Sequence, residues 1–274
     1  MRVVSSEPPL HVEVDGQGPV VLLEHGFGGS ARNFLPQARA LRDRYRIVRF
    51  DARGHARSGA PTDPGAYTPE AFVADTGRVL DQVGAGTAVV GGLSMGAGIA
   101  LRFTLAHPER VQALVLAAFP PGAAVAGTFA AVAHAFADAI EHEGLDAAGT
   151  RFVWGPSSGL DPEAARLVRR GFLGHPPHGL ALTLRGVLAA QPPVAELAPR
   201  LATLACPALV IVGANDRLSL APSRELAAAL PAARLVVVDG AGHVVNLARP
   251  AAFNAALEEF LAGIGPREKT PIGR

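Results

Sequence analysis

Short apolar runs alternate with helix-like stretches along most of this chain. Six runs rich in Val, Ile and Leu are candidate strands: Val20–Glu24, Arg46–Asp51, Thr87–Gly91, Val111–Ala117, Ala208–Gly213 and Arg234–Asp239. Strands that are buried on both faces of a parallel sheet have this composition. Four stretches between them have helical patterns: Glu70–Val83, Met95–Ala106, Pro222–Leu230 and Pro250–Leu261. The alternation predicts right-handed crossovers and an open, doubly wound α/β sheet.

The region from about Phe119 to Leu204 breaks this alternation. It has no convincing strand, and helical patterns at Gly127–Glu141 and Asp161–Phe172 lie between Gly/Pro-rich joints. We therefore predict a helical insertion above the sheet. The predicted division is an α/β core of residues 1–118 and 205–264, a helical cap of residues 119–204 and a loose C-terminal tail of residues 265–274.

Composition argues against several classes of partner. The 274 residues include 25 Lys and Arg and 24 Asp and Glu, so the net charge is +1. Such a chain has no field to hold it on nucleic acid or an anionic membrane. The uncharged stretch from Val111 to Ala137 is interrupted by Pro120 and Pro121, which disfavours a membrane span. We expect a cytoplasmic monomer or homodimer that acts on a small molecule, with Cys206 as a buried structural thiol.

The sharpest local signal is the pentapeptide Gly92-Leu93-Ser94-Met95-Gly96, between a predicted strand and a predicted helix. A G-x-S-x-G pattern that holds a serine nucleophile requires this strand–turn–helix context. Small residues at both ends let two backbone segments approach closely, while the hydroxyl stands at the carboxyl end of the sheet. The dipole of the following helix favours a developing oxyanion. We predict that Ser94 is a nucleophile rather than part of a structural turn.

A serine nucleophile needs a base, and the base needs an acid to orient it. His243 follows the last predicted strand, and Asp216 follows the one before it. Both would lie at the same sheet edge as Ser94. Asp216 alone could simply cap a turn, but the order Ser94, Asp216, His243 predicts a catalytic triad. We interpret His25 as structural and place His55 in a surface-like context.

The fourth element is the glycine-rich run from His25 to Ser30, which follows the strand Val20–Glu24. Its glycines allow a backbone N–H to point into the site. The amides of Phe27 and Met95 are the predicted oxyanion donors. The run lacks the Lys-Ser/Thr ending of a nucleotide-triphosphate loop and the spacing of a dinucleotide fingerprint, which argues against a nucleotide.

Six segments together resemble the α/β-hydrolase superfamily, in its esterase and lactonase branch with a helical cap: HGFGGSARNF, DARGHARSG, GLSMGAG, HPERVQALVL, PALVIVGANDR and GAGHVVNLARP. The resemblance covers nearly the whole chain and is weakest between Phe119 and Leu204. It implies a mainly parallel eight-stranded sheet whose second strand is antiparallel. It also implies that the site uses no metal and no cofactor. Residues Asp51–Gly59 match a loop that is structural in this superfamily.

Departures from neighbouring families disfavour particular rivals without excluding them. Epoxide hydrolases and haloalkane dehalogenases carry Asp where this chain has Ser94. Cofactor-free haloperoxidases usually have Pro where this chain has Gly28. The menaquinone-pathway lyase normally has Arg, to hold a carboxylate, where this chain has Gly98. The apolar first part of the predicted cap, Phe119–Ala137, favours an uncharged, moderately apolar ester or lactone as the substrate.

The cap is expected to set the choice of substrate. Phe119, Phe136 and Trp154 are the candidate pocket residues. Trp154 either lines the pocket or fills the core of the cap, and the usual burial of Trp favours the core. The same triad could also support C–C bond hydrolysis, a lyase or cyclase step, or perhydrolysis. A protein of this fold that mainly binds a ligand is the alternative from another class.

Overall fold

The computed structural model describes residues 2–4, 7–122, 127–154 and 162–264. Within these residues, eight strands form one sheet: β1 Arg2–Val4, β2 Leu10–Asp15, β3 Val20–Glu24, β4 Arg46–Phe50, β5 Ala88–Leu93, β6 Val111–Ala117, β7 Ala208–Gly213 and β8 Ala233–Val238. Their order is β1-β2-β4-β3-β5-β6-β7-β8. Strand β2 is antiparallel to both neighbours, and β3 to β8 are parallel. The predicted eight-stranded, mainly parallel sheet is confirmed.

Helices connect the strands and cover the sheet. Their bounds are α1 Leu35–Leu41, α2 Pro69–Gln82, α3 Met95–Ala106, α4 Gly127–Phe152, α5 Pro162–Phe172, α6 Pro177–Thr183, α7 Val194–Leu201, α8 Leu220–Ala229, α9 Val245–Ala248 and α10 Pro250–Ala262. A π-helical turn, Leu184–Leu188, follows α6 directly. None of the helices in the described ranges is both long enough and apolar enough to cross a bilayer.

Alternate residues of each central strand enter different cores, which explains why these strands are apolar throughout. Leu22, Val90 and Leu114 face one core, formed with α2, α3, α7 and α8. Val21 and Val115 face the other core, formed with α1, α9 and α10. Helices therefore bury both faces of the sheet, as the doubly wound arrangement requires.

Helices α4 to α7 lie between β6 and β7, the place where the sequence predicts a helical insertion. Helices α4, α5 and α6 carry a separate apolar cluster that includes Phe136, Phe172 and Leu180. Phe27 of the core packs against this cluster. Helix α4 extends beyond the predicted end at Glu141. It consists of two helical parts that are joined at a kink, where Gly144 has a φ of +86°. The predicted loose tail, residues 265–274, lies outside the described residues.

Candidate active site

Ser94 occupies a strained turn at the carboxyl end of β5. Its φ of +53° is unusual for a residue other than glycine, and such strain persists only where the surroundings enforce it. A Cβ at Gly96 would lie 2.3 Å from the carbonyl oxygen of Glu24, and one at Gly92 would lie 2.4 Å from the Gly96 carbonyl carbon. The two glycines therefore let β3, β5 and α3 meet at the turn that exposes Ser94.

A buried carboxyl lies just below this turn. Glu24 accepts a hydrogen bond from Thr76 Oγ1 at 2.9 Å. Burial raises the pKa of Glu24 to about 8, an effect that the Thr76 hydrogen bond opposes and Asp75 reinforces. Glu24 is therefore mostly protonated at neutral pH, and no negative charge from it opposes an oxyanion at the turn above.

Asp216 and His243 are joined by a hydrogen bond of 2.8 Å between Oδ2 and Nδ1. The Asp216 side chain is 3% exposed and the His243 side chain 42%. The imidazole ring is therefore partly exposed to solvent, while the carboxylate that holds it is buried. Burial alone would raise the pKa of Asp216, but hydrogen bonds from His243 and Ser219 outweigh it and lower that pKa. Asp216 is thus a carboxylate that fixes the tautomer and direction of the imidazole.

The loop that carries His243 folds back over the end of β7. The backbone N–H of Asn215 donates to the Ala241 carbonyl at 2.9 Å, and a Cβ at Gly213 would lie 2.3 Å from the same oxygen. Farther along, Asn246 Nδ2 donates to the Asn33 carbonyl at 2.8 Å. These contacts hold the loop at the sheet edge where β5 ends.

Ser94 and His243 are not hydrogen-bonded to each other; in the described part of the chain, the Asp216–His243 bond is the only one among the three side chains. Catalytic hydrogen bonds are often long without substrate and tighten when it binds. The structure thus brings Asp216 and His243 together and places Ser94 at the same sheet edge.

The loop after β3 supplies candidate oxyanion donors. A Cβ at Gly26 would lie 3.5 Å from Ser94 Cβ, so the loop passes directly beside the serine. Among the described residues, no acceptor takes a hydrogen bond from the backbone N–H of Phe27 or Met95. Gly28 adopts φ +66° and meets Phe172 of the cap, where a Cβ would lie 2.6 Å from the ring.

A narrow cavity opens beside Ser94. It is lined by Met95 and Ile99 of α3, by Phe129 of α4, and by Val187 and Gln191, which precede α7. Its free volume of about 10 Å³ is room for about one water molecule. The cavity is apolar except for Ser94 and Gln191, as far as its described lining goes.

Two of the three predicted pocket residues occupy other places. Phe119 is fully buried in the core cluster below the cap, because it continues directly from the buried strand β6. Trp154 packs edge-on against Phe172, with ring centroids 5.5 Å apart, and belongs to the cap cluster. Neither of them is among the residues that line the cavity beside Ser94. The structure gives no support to a pocket role for Phe119, and Trp154 lies in the core of the cap, the alternative that the sequence favoured.

Phe136 holds an intermediate position. Its ring stacks on Phe152 at 4.6 Å and meets Phe27 at 5.6 Å. It therefore links the cap to the oxyanion loop without lining the cavity. The sequence placed Phe129 in the apolar first part of the cap without assigning it to the pocket. The lining residues Val187 and Gln191 were missed, since nothing in the cap sequence shows which turn faces Ser94.

Three histidine rings are packed together behind the oxyanion loop. His55 lies 5.2 Å from His25 and 5.4 Å from His175, measured between ring centroids. The expected surface-like context of His55 is wrong, because its side chain is fully buried. Burial lowers the pKa of each of the three rings, and that of His175 falls to about 4. The rings are therefore neutral at pH 7.

His175 joins the cap to the core. Its Nδ1 accepts a hydrogen bond from the Ala56 N–H at 2.7 Å, so Nε2 carries the proton and donates to the Gly28 carbonyl at 2.9 Å. The ring thereby holds the oxyanion loop in place. In the described residues, no group of three His, Cys, Asp or Glu side chains has an arrangement that could hold a metal ion.

Comparisons with known proteins agree with this geometry. A model of the alpha/beta hydrolase family matches residues 20–256. A protein of Enterobacter cloacae with the provisional name carbamate hydrolase RutD is 32% identical over 273 residues, covering 96% of this chain and 97% of that protein. A thermophilic esterase from Thermogutta terrifontis has a TM-score of 0.84 and 28% identity, covering 94% of this chain and 95% of that chain.

A second solved structure is the enol-lactonase from Burkholderia xenovorans LB400. Its TM-score is 0.80 at 29% identity, and the match covers 93% of this chain and 97% of that chain. These similarities extend through the core and the region between β6 and β7. The chain belongs to the alpha/beta hydrolase family.

Proposed function

We propose that this protein is a serine hydrolase that cleaves a small, mostly uncharged carboxylic ester or lactone through an acyl-enzyme. The observation that carries the proposal is the 2.8 Å bond from the buried carboxylate of Asp216 to His243, at the sheet edge where Ser94 stands on a strained turn. A solvent-facing imidazole with a fixed tautomer is what a serine hydroxyl needs as a base.

In the proposed reaction, the substrate displaces water beside Ser94 and its carbonyl oxygen points at the N–H groups of Phe27 and Met95. His243 takes the Ser94 proton as Oγ attacks the carbonyl carbon. The alcohol leaves with that proton, and Ser94 is acylated. Water then attacks the acyl-enzyme with His243 again as base, which releases the acid and restores the hydroxyl.

The cavity supports a neutral substrate. Its described lining carries no Lys, Arg or His, so a charged acyl group would be buried without a partner. By their names, two of the similar solved structures are an esterase and an enol-lactonase, which act on ester and lactone bonds. A carbamate belongs in the test panel, because a relative carries that name.

The test is turnover of a panel of p-nitrophenyl esters, simple lactones and one carbamate by the wild type and by Ser94→Ala. We expect ester or lactone hydrolysis that falls on the order of 10⁴-fold in the variant while the fold is retained. Hydrolysis that survives in Ser94→Ala would refute the covalent route. A wild type that binds these compounds without turnover would favour the ligand-binding alternative.

A further inference from the structure

In the described lining of the cavity beside Ser94, the region between β6 and β7 contributes one polar side chain. Gln191 is 6% exposed and lies among apolar lining residues such as Ile99 and Val187. A buried carboxamide costs free energy unless its hydrogen bonds are made. Its place beside the reacting serine therefore calls for an explanation beyond packing.

The backbone around Gln191 is firmly held. The Gln191 N–H donates to the Leu188 carbonyl at 3.2 Å, and Arg102 donates to the carbonyl of the preceding Ala190 at 3.1 Å. On the other side, Pro193 fits so closely that a Cβ at Gly122 would lie 2.1 Å from it. The backbone from which the Gln191 carboxamide extends is therefore held in place.

Gly98 makes the room for this side chain. A Cβ at Gly98 would lie 3.0 Å from Gln191 Oε1, closer than ordinary van der Waals contact. The absence of a side chain on this turn of α3 lets the carboxamide reach the cavity that Ser94 lines. The two residues together set the shape and polarity of that wall.

The hydrogen-bonding capacity of Gln191 is largely unused. Its Nε2 makes one long contact, 3.4 Å, to the Pro192 carbonyl, although a carboxamide has two N–H donors and an acceptor oxygen. Within the described residues, Gln191 has no other side-chain hydrogen bond. A donor that is buried, underused and beside the nucleophile is suited to a substrate oxygen.

We propose that Gln191 is a specificity-determining residue whose carboxamide N–H donates to a neutral oxygen on the acyl part of the substrate. This inference rests on the proposed hydrolysis at Ser94. The substrate class is an ester or lactone whose acyl part carries a keto, ether or hydroxyl oxygen. A carboxylate is disfavoured, because one carboxamide donor cannot offset the desolvation of a full charge.

The experiment compares kcat/KM for three p-nitrophenyl esters: levulinate, pentanoate and hydrogen succinate. Levulinate and pentanoate have similar lengths and differ by a keto oxygen, whereas hydrogen succinate carries a carboxylate. We expect the wild type to prefer levulinate. Gln191→Met keeps the length of the side chain and should lower the levulinate-to-pentanoate ratio about tenfold, the effect of one lost hydrogen bond in a buried site.

Gln112→Met is the matched control, since it removes the same group from the amino end of β6, where Gln112 bonds Thr87. The control should leave the ratio unchanged. Gln191→Leu is a second variant of similar volume that neither donates nor accepts a hydrogen bond, and it should also lose the preference for levulinate. If either variant is poorly folded, the other decides.

An unchanged ratio in the folded Gln191 variants would overturn the inference, as would a wild type that prefers hydrogen succinate. A parallel loss on all three esters would mean that Gln191 only supports the fold. Fluorophosphonate labelling of Ser94 in each variant separates this outcome from failure of the proposed function, because labelling does not depend on the acyl oxygen.

Discussion

At the scale of single residues, the turn that holds Ser94 depends on two glycines, because there is no room for a side chain at either position. Gly96 is so close to the Glu24 carbonyl that a methyl group would require β3 to move. Gly92 meets the Gly96 backbone from the other side. The positive φ of Ser94 is therefore enforced by close backbone packing.

Gly96→Ala should displace the turn and destabilise the protein by about 1–3 kcal/mol, the usual cost of overpacking. We expect a lower melting temperature together with a loss of ester turnover. Gly171→Ala is the control, because Gly171 is helical and a Cβ there would meet nothing within 4 Å. If Gly96→Ala melts and turns over like the wild type, our explanation of the strained turn is wrong.

Local sequence patterns carried the residue-level predictions that depend on backbone geometry. Ser94 was predicted from a pentapeptide whose two glycines are sterically required at the turn. Asp216 and His243 were predicted from their places after two strands. The place of Gln191 in the cavity escaped prediction because Gly98, which makes room for its side chain, is far away in the sequence. The burial of His55 escaped for the same reason, since its cover comes partly from His175 of the cap region.

At the scale of elements, the cap is in direct contact with the loop after β3, through His175 and Phe172. Residues 174–179 form a Gly/Pro-rich joint, and such a composition predicts a hinge that would let the cap shift. The structure shows that His175 within this joint is bonded on both sides, to Ala56 and to Gly28. The joint therefore anchors this side of the cap in the conformation described.

This anchor should weaken in acid. His175 has a pKa of about 4 when folded, below its ordinary value of 6.5, so the folded state favours the neutral ring. The stability it contributes is present above pH 6.5 and is lost as the pH falls towards 4, by up to about 3 kcal/mol. His175→Gln cannot titrate, so its melting temperature should fall less steeply over this range.

The measurement is thermal unfolding of both proteins between pH 7 and pH 4. His178→Gln is the matched control from the same joint, because its ring is exposed and bonded only to the Ala60 carbonyl within the described structure. Parallel curves for the wild type and His175→Gln would contradict the role of His175. His25 and His55 should also contribute to the fall in melting temperature in acid, because burial lowers their pKa values too.

At the scale of the whole molecule, the cap closes the space above the serine. A cavity of about 10 Å³ holds about one water molecule, whereas an ester needs far more room. We therefore expect the lining side chains to move when an ester enters. Sequence periodicity predicted the α/β core because each strand is buried by its neighbours. The cap sequence predicted helices, but nothing in it showed which of them faces Ser94.

Phe129→Ala should enlarge this cavity and raise kcat/KM for longer acyl chains relative to acetate. Phe119→Ala is the contrasting variant, since its ring is fully buried in the core. It should lower stability by about 3–5 kcal/mol and leave the acyl-chain profile unchanged. A changed profile with Phe119→Ala and none with Phe129→Ala would reverse our assignment of the pocket.

The reaction of the protein with a fluorophosphonate tests the central claim most directly. Peptide mapping by mass spectrometry should find a single adduct, on Ser94. His243→Asn should slow its formation by at least about 100-fold, because the hydroxyl loses its base. An adduct on another serine, or esterase activity that persists while Ser94 stays unlabelled, would contradict the account.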